Sequence, residues 1–180
     1  MHEKIKSLKE IQEILKKERK YGLKIVQCHG VFDLLHPGHI RHFEQAKKYG
    51  DRLVVTVTPD RFVNKGPGRP AFNEMLRLEA IAALSVIDYV VLNETPDAVD
   101  PIRRIRPNVY VKGIEYQDHK TDVTGKISEE ARAVEKAGGT IRYTDEVVFS
   151  SSSLLNRYFN SQSPETIAFL QEARQVYTAE

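Results

Sequence analysis

Apolar positions along this chain switch repeatedly between two spacings. Leu8, Ile11, Ile14 and Leu15 recur at three and four residues, the spacing of one helical stripe. Ser7 followed by Glu10 is a capping-box signature, so a helix is predicted over residues 7–20, stopped by Gly22. Short runs rich in Val and Ile predict strands at 23–28, 52–58, 88–92, 108–112 and 140–144. Between them, helical patterns at 38–49, 73–86, 97–105 and 128–137 are each bounded by a cap residue, Gly or Pro. Two further helical stretches are expected at 151–159 and 164–177. Strands alternating with helices predict an α/β fold: a doubly wound, Rossmann-like, five-stranded parallel sheet with flanking helices and right-handed crossovers. The expected division is an N-terminal helix over 1–22, a main domain over 23–160 and a C-terminal helical extension over 161–180.

Composition narrows the class. With 180 residues, 41% of them hydrophobic and 29% charged, the chain can bury one full core. A net charge of +2 without basic residues interleaved with aromatics argues against nucleic acid as a partner. The run Lys16 to Lys20 reads as the solvated face of a helix. The single cysteine, Cys28, sits in an apolar run and has no intrachain partner. No apolar stretch approaches 18 residues and no secretory segment is seen, which predicts no membrane association and a cytoplasmic protein.

The densest chemistry lies from Gly30 to His39, Gly-Val-Phe-Asp-Leu-Leu-His-Pro-Gly-His, directly after the first long strand run. Pro37 suits a first helical turn, where its missing N–H would have no partner anyway. Gly38 lets a large ligand approach the backbone. His36 and His39, three apart, lie on one helical face about 5–6 Å apart at Cβ. Three readings fit these residues: surface or capped histidines, a metal site using Asp33, His36 and His39, or phosphate recognition at a strand-to-helix turn. The metal reading lacks the His-Glu-x-x-His spacing of zinc-binding helices. The phosphate reading draws on the free N–H groups and dipole of a helix start.

Gly30 to His39 resembles the Gly-x-Phe-Asp-x-x-His-x-Gly-His signature of the HxGH-type nucleotidylyltransferases. The paired leucines before His36 are similar to the cytidylyltransferase and sugar-phosphate adenylyltransferase branch, and the resemblance runs from about Lys24 to Phe159. It implies that a substrate phosphate attacks the α-phosphorus of a nucleoside triphosphate and releases pyrophosphate. It also implies Mg2+ as cofactor. His36, His39 and Lys65 are then expected to be catalytic. Gly30, Val31, Phe32, Asp33, Gly38, Lys112, Gly113, Ser150, Ser151 and Ser152 are expected to bind the nucleotide. Arg69, Arg77 and Glu115 are expected to bind the phosphorylated acceptor.

Each of these positions also has a plainer reading. Residues 59–72, rich in Gly and Pro, could be a simple surface connection, or a cationic loop that closes over phosphates with Lys65 and Arg69. Arg77 suits a helix surface equally well. Lys112 in Val111 to Gly113 would ordinarily reach for water. It resembles the Val-Lys-Gly-x-Asp-Tyr segment of sugar-phosphate adenylyltransferases, with Glu115 in place of the aspartate. Phe149 to Leu155 reads as a linker or N-cap, or as the Ser-Thr-Thr-x-Ile element that holds phosphates. His29 to Asp33, Thr58 to Arg69, Lys112 to Tyr116 and Ser150 to Ser153 all follow strand ends, where open parallel sheets bind ligands.

Val-Lys-Gly and Arg69–Pro70 resemble the heptose-1-phosphate adenylyltransferases, which favours ATP and a sugar phosphate; glycerol-3-phosphate cytidylyltransferases, which use CTP, are the alternative. A non-catalytic nucleotide-binding module and a structural metal domain are the remaining readings. Against a class I aminoacyl-tRNA synthetase, which shares a related His-x-Gly-His element, stand the lack of a Lys-Met-Ser-Lys-Ser segment and of room for a tRNA-reading domain. Look-alikes are often homodimers, and some continue into a sugar-kinase domain. Both are expectations for the partners of this chain.

Overall fold

The computed structural model describes residues 3–66, 68–116 and 126–144. Among them, six strands form one parallel sheet: β1 (Ile5–Lys6), β2 (Ile25–Gly30), β3 (Arg52–Val57), β4 (Tyr89–Leu92), β5 (Val109–Gly113) and β6 (Thr140–Thr144). Their order is β1-β4-β3-β2-β5-β6. Five of the six coincide with the predicted strands, and β1 corrects the expected count of five. Two residues are too few to show a hydrophobic period. Ile5 and Lys6 are strand only because they add in register to Val90 and Val91 of β4.

β2 starts and ends two residues later than its apolar run suggests. His29 and Gly30 look like loop in sequence, yet they pair with Thr56 and Val57 of β3. The helices are α1 (Leu8–Arg19), α2 (Pro37–Lys47), α3 (Glu74–Ala82), α4 (Val99–Ile105) and α5 (Lys126–Lys136). The Ser7–Glu10 capping box is present in both directions at the start of α1. Gly22 adopts φ +76 just beyond the helix end, a conformation that costs glycine little. None of the helices among the described residues is long and apolar enough to cross a membrane.

Alternation along the strands divides the core. Val26, Cys28, Val55, Val57, Val90 and Val111 pack with Phe43 of α2 and with Leu78 and Ile81 of α3. Ile25, Val54 and Val91, one residue out of phase, pack with Leu8, Ile11 and Leu15 of α1 and Ile105 of α4. Tyr110 continues that phase against Ile102 of α4 and Ala133 and Val134 of α5. A parallel sheet covered on both faces requires such continuous apolar runs. The chain winds from β2 toward β3 and β4, then returns to add β5 and β6 on the other side. The direction therefore reverses between β2 and β5, and the crevice outside their carboxyl ends is where such sheets bind ligands.

Candidate active site

At that reversal β2 ends in Gly30 and turns sharply into α2. Phe32 takes φ +50, and its ring swings back under Gly30, where a Cβ would lie 3.1 Å from the ring. Any side chain at Gly30 would press on that ring, and Phe32 forms the floor of the turn. Its ring also meets Phe43 at 5.1 Å and the edge of His39 at 5.4 Å. His36 is the N-cap residue of α2, with Pro37 behind it, and its side chain makes no capping bond. Gly38 falls in the first turn.

The His36 and His39 rings stack with centroids 3.8 Å apart. Both nitrogens of His36 and Nδ1 of His39 are buried without a hydrogen-bond partner among the described residues. An unsatisfied buried polar atom costs about 1–3 kcal/mol. Three such atoms on two adjacent rings at one helix start form a ready site for an oxygen-rich group. Burial lowers the pKa of His36. His39 is pushed to about 3 by burial first, then by His36, His42 and Lys65. Both imidazoles are neutral near pH 7.

The other strand ends supply the surroundings. His29 faces Thr56 Oγ1 at 3.0 Å and Thr58 Oγ1 at 3.3 Å. Lys112, at the end of β5, is buried, 3.1 Å from Glu130 of α5. Gly113 ends the same strand opposite Thr144. One turn further along α2, His42 Nδ1 lies 2.8 Å from Thr144 Oγ1, which in turn donates to the Lys112 carbonyl at 3.4 Å. Burial and the Lys112 charge push His42 to about 4.

The loop after β3 is tied down at both ends. The Asp60 N–H donates to Glu74 and the Glu74 N–H donates to Asp60, at 2.9 and 3.0 Å. Asp33 is wholly buried, accepts the Ala71 N–H at 2.5 Å, and pairs with Arg69 at 2.5 Å. Partial burial lowers the pKa of Lys65; Asp33 opposes the shift, and Arg69 and Arg77 add to it.

Arg77, expected to bind the acceptor, lies inside the fold beneath the turn after β2. It is 2% exposed. Its guanidinium donates to the carbonyls of Val31, Phe72 and Thr58 and to Asp60. Those bonds commit it to joining the β2 turn to the loop after β3. Asp33 likewise anchors the loop through Arg69 and Ala71. The structure therefore brings His36, His39, Lys65, Asp33 and Lys112 into one region. Glu115 belongs to the short 3-10 turn Ile114–Tyr116, and its side chain lies outside the described atoms. Ser150, Ser151 and Ser152 lie outside the described residues.

Sequence reasoning missed Glu130, Tyr110 and Thr144. Tyr110 and Glu130 sit in ordinary strand and helix patterns, and only the fold shows that they meet Lys112. Among the described residues, no group of three or more His, Cys, Asp or Glu is placed to hold a metal ion, and Asp33 is occupied by Arg69. These residues do not form a magnesium cage.

A family model described as cytidylyltransferase-like matches residues 27–172. Among curated proteins, the bifunctional protein HldE of Syntrophotalea carbinolica is 35% identical over 162 residues, covering 86% of this chain and 32% of that protein. HldE of Hyphomonas neptunium is 43% identical over 125 residues, covering 68% of this chain and 24% of that protein. The chain thus spans about a quarter to a third of these relatives. Among solved structures, a lipopolysaccharide core biosynthesis protein from Thermoplasma volcanium is 29% identical, with a TM-score of 0.56, covering 72% of this chain and all of that one. A pantoate-beta-alanine ligase from Francisella tularensis, 13% identical with a TM-score of 0.54, shares the fold.

Proposed function

This chain belongs to the cytidylyltransferase-like family of nucleotidyltransferases, and from that premise we propose that it transfers the adenylyl group of ATP to a sugar phosphate. The observation that carries the reading is the stacked pair His36 and His39 at the start of α2, three of whose buried nitrogens have no partner among the described residues. In the reaction, an acceptor phosphate oxygen bonds to the α-phosphorus as the bond to the bridging oxygen breaks, and pyrophosphate leaves. A phosphate monoester has a second pKa of about 6 and is already largely ionised, so no general base is needed. Catalysis then rests on placement and charge.

His36 and His39, neutral and stacked, donate N–H groups to the α-phosphate as its charge is redistributed. Lys65 and Lys112 offset phosphate charge. Ser150, Ser151 and Ser152 are assigned to the leaving pyrophosphate through their resemblance to the family element. Magnesium enters this reading as the triphosphate's counter-ion, carried in with the substrate.

A sugar phosphate acceptor is supported by the likeness of Val111 to Gly113 and Arg69–Pro70 to heptose-1-phosphate adenylyltransferases. The Thermoplasma relative, a lipopolysaccharide core biosynthesis protein, supports it too. The HldE relatives are named bifunctional and this chain matches one part of each. The proposal is therefore for one activity of two, with a sugar kinase as the other partner.

The test is a matrix of four nucleoside triphosphates against sugar and polyol phosphates, read as pyrophosphate release. ATP with a sugar phosphate should give the highest kcat/KM; CTP with glycerol 3-phosphate as the best pair would replace this reading. His39→Ala should lower kcat about 10²–10³-fold, the scale of a lost transition-state donor. A folded variant with parental turnover would sink the assignment.

A further inference from the structure

Lys112 does not stand alone at the end of β5. Its ammonium lies 3.1 Å from Glu130 Oε2, and both side chains are nearly enclosed, at 11% and 5% exposure. The same carboxylate oxygen accepts the Tyr110 hydroxyl at 2.9 Å. Burial first, and then the Glu130 charge, hold the Tyr110 phenol well above its ordinary pKa. It thus stays a donor. On its outer side the ammonium sits 4.6 Å from the Tyr116 ring centroid, within cation–π reach. Thr144, bonded to His42 of α2, donates to the Lys112 carbonyl.

A lysine offered freely to phosphates would need none of this. Its long stem carries substantial rotamer entropy, and ordering it only when the transition state forms would spend binding energy on order. A buried carboxylate so close also directs one N–H inward, which leaves the ammonium's remaining N–H bonds as aimed donors to phosphate oxygens. Buried ion pairs of this kind contribute little net stability, and they persist where geometry matters.

We propose that Glu130, supported by Tyr110, is a positioning residue for the nucleotidyl transfer: it pins the Lys112 ammonium at the rim between β2 and β5 before substrate arrives. The inference rests on the transfer reading for its kinetic consequence and on the structure alone for the pin. Loss of the pin slows the transition state more than it weakens ground-state binding, because bound substrate can recruit a mobile lysine that the reacting complex needs already in place.

The experiment has two arms. In protein labelled with 15N-lysine, the Lys112 ammonium should give a protected signal, identified by its absence in Lys112→Arg. It should persist in Tyr110→Phe with faster exchange and vanish in Glu130→Gln. In turnover, Glu130→Gln should lower kcat ten- to a hundredfold with KM within threefold, and Glu130→Asp should recover part of that loss. A signal unaffected by Glu130→Gln, or one missing from the parent, overturns the pin. An unchanged kcat, or a fall explained by unfolded protein in the circular dichroism spectrum, overturns the positioning role. A parent that turns over no nucleotide pair refutes the transfer reading and the kinetic role together, and the ammonium signal then still decides the pin.

Discussion

Histidine chemistry in this protein is set by burial. His39 and His42, with pKa values near 3 and 4, return to about 6.5 when the chain unfolds. Below pH 6.5 the unfolded chain takes up protons that the native rings refuse. Their contribution to stability is therefore complete above pH 6.5 and is lost as the pH falls toward 4 and then 3. Urea unfolding of the ligand-free protein from pH 7 to pH 5 should show decreasing stability, and His42→Gln, which can still bond Thr144, should flatten that slope. An equal slope in both would mean that His42 is not held neutral. His36 and His39 were legible in the sequence because the motif is local, a single turn whose residue types and spacing suffice. Arg77 and Glu130 were not. The partners of Arg77 include Val31 and Thr58, and those of Glu130 are Lys112 and Tyr110, so their roles exist only once β2, β3, β5 and α5 are assembled.

Elements were legible wherever their own residues carried the signal. The α1 cap is the plainest case: Ser7→Ala removes the hydroxyl that accepts the Glu10 N–H at 3.2 Å and should cost about 1 kcal/mol. Chemical denaturation would measure it, while kcat stays at the parental value because α1 packs on β2, β3 and β4 away from the histidine pair. A drop in kcat would connect α1 to the site. The end of α4 shows the opposite situation. Arg106 closes it with φ +51, and Arg19 from α1 donates to the carbonyls of Ile105 and Arg106. No local pattern announces a cap supplied from 86 residues away. Strand ends drifted for a related reason. The apolar run of β2 stops at Cys28, whereas pairing with β3 carries the strand to Gly30 and so places His29 on the rim.

At the scale of the molecule, the doubly wound parallel architecture was legible in the sequence, because alternating strands and helices admit few arrangements, while the strand order came only with the fold. Residues 161–180 lie outside the described residues, and their apolar positions Ile167, Leu170, Ala173, Val176 and Tyr177 remain the basis for proposing a homodimer. Light scattering should find a dimer for the 180-residue protein and a monomer for a version ending at Asn160; two monomers would exclude it. The smallest strand has the widest reach. By pairing with Val90 and Val91, β1 occupies the flank of β4, whose valines are fully buried, and it brings Lys4 and Lys6 to the margin. Open strand margins recruit other chains, and lysines there discourage it. A version beginning at Ser7 should keep its helical signal yet grow turbid as its concentration rises, since each molecule would then offer its bare flank to the next. On that outcome, two residues of strand govern colloidal behaviour, and residues 5–6 are a poor place to trim.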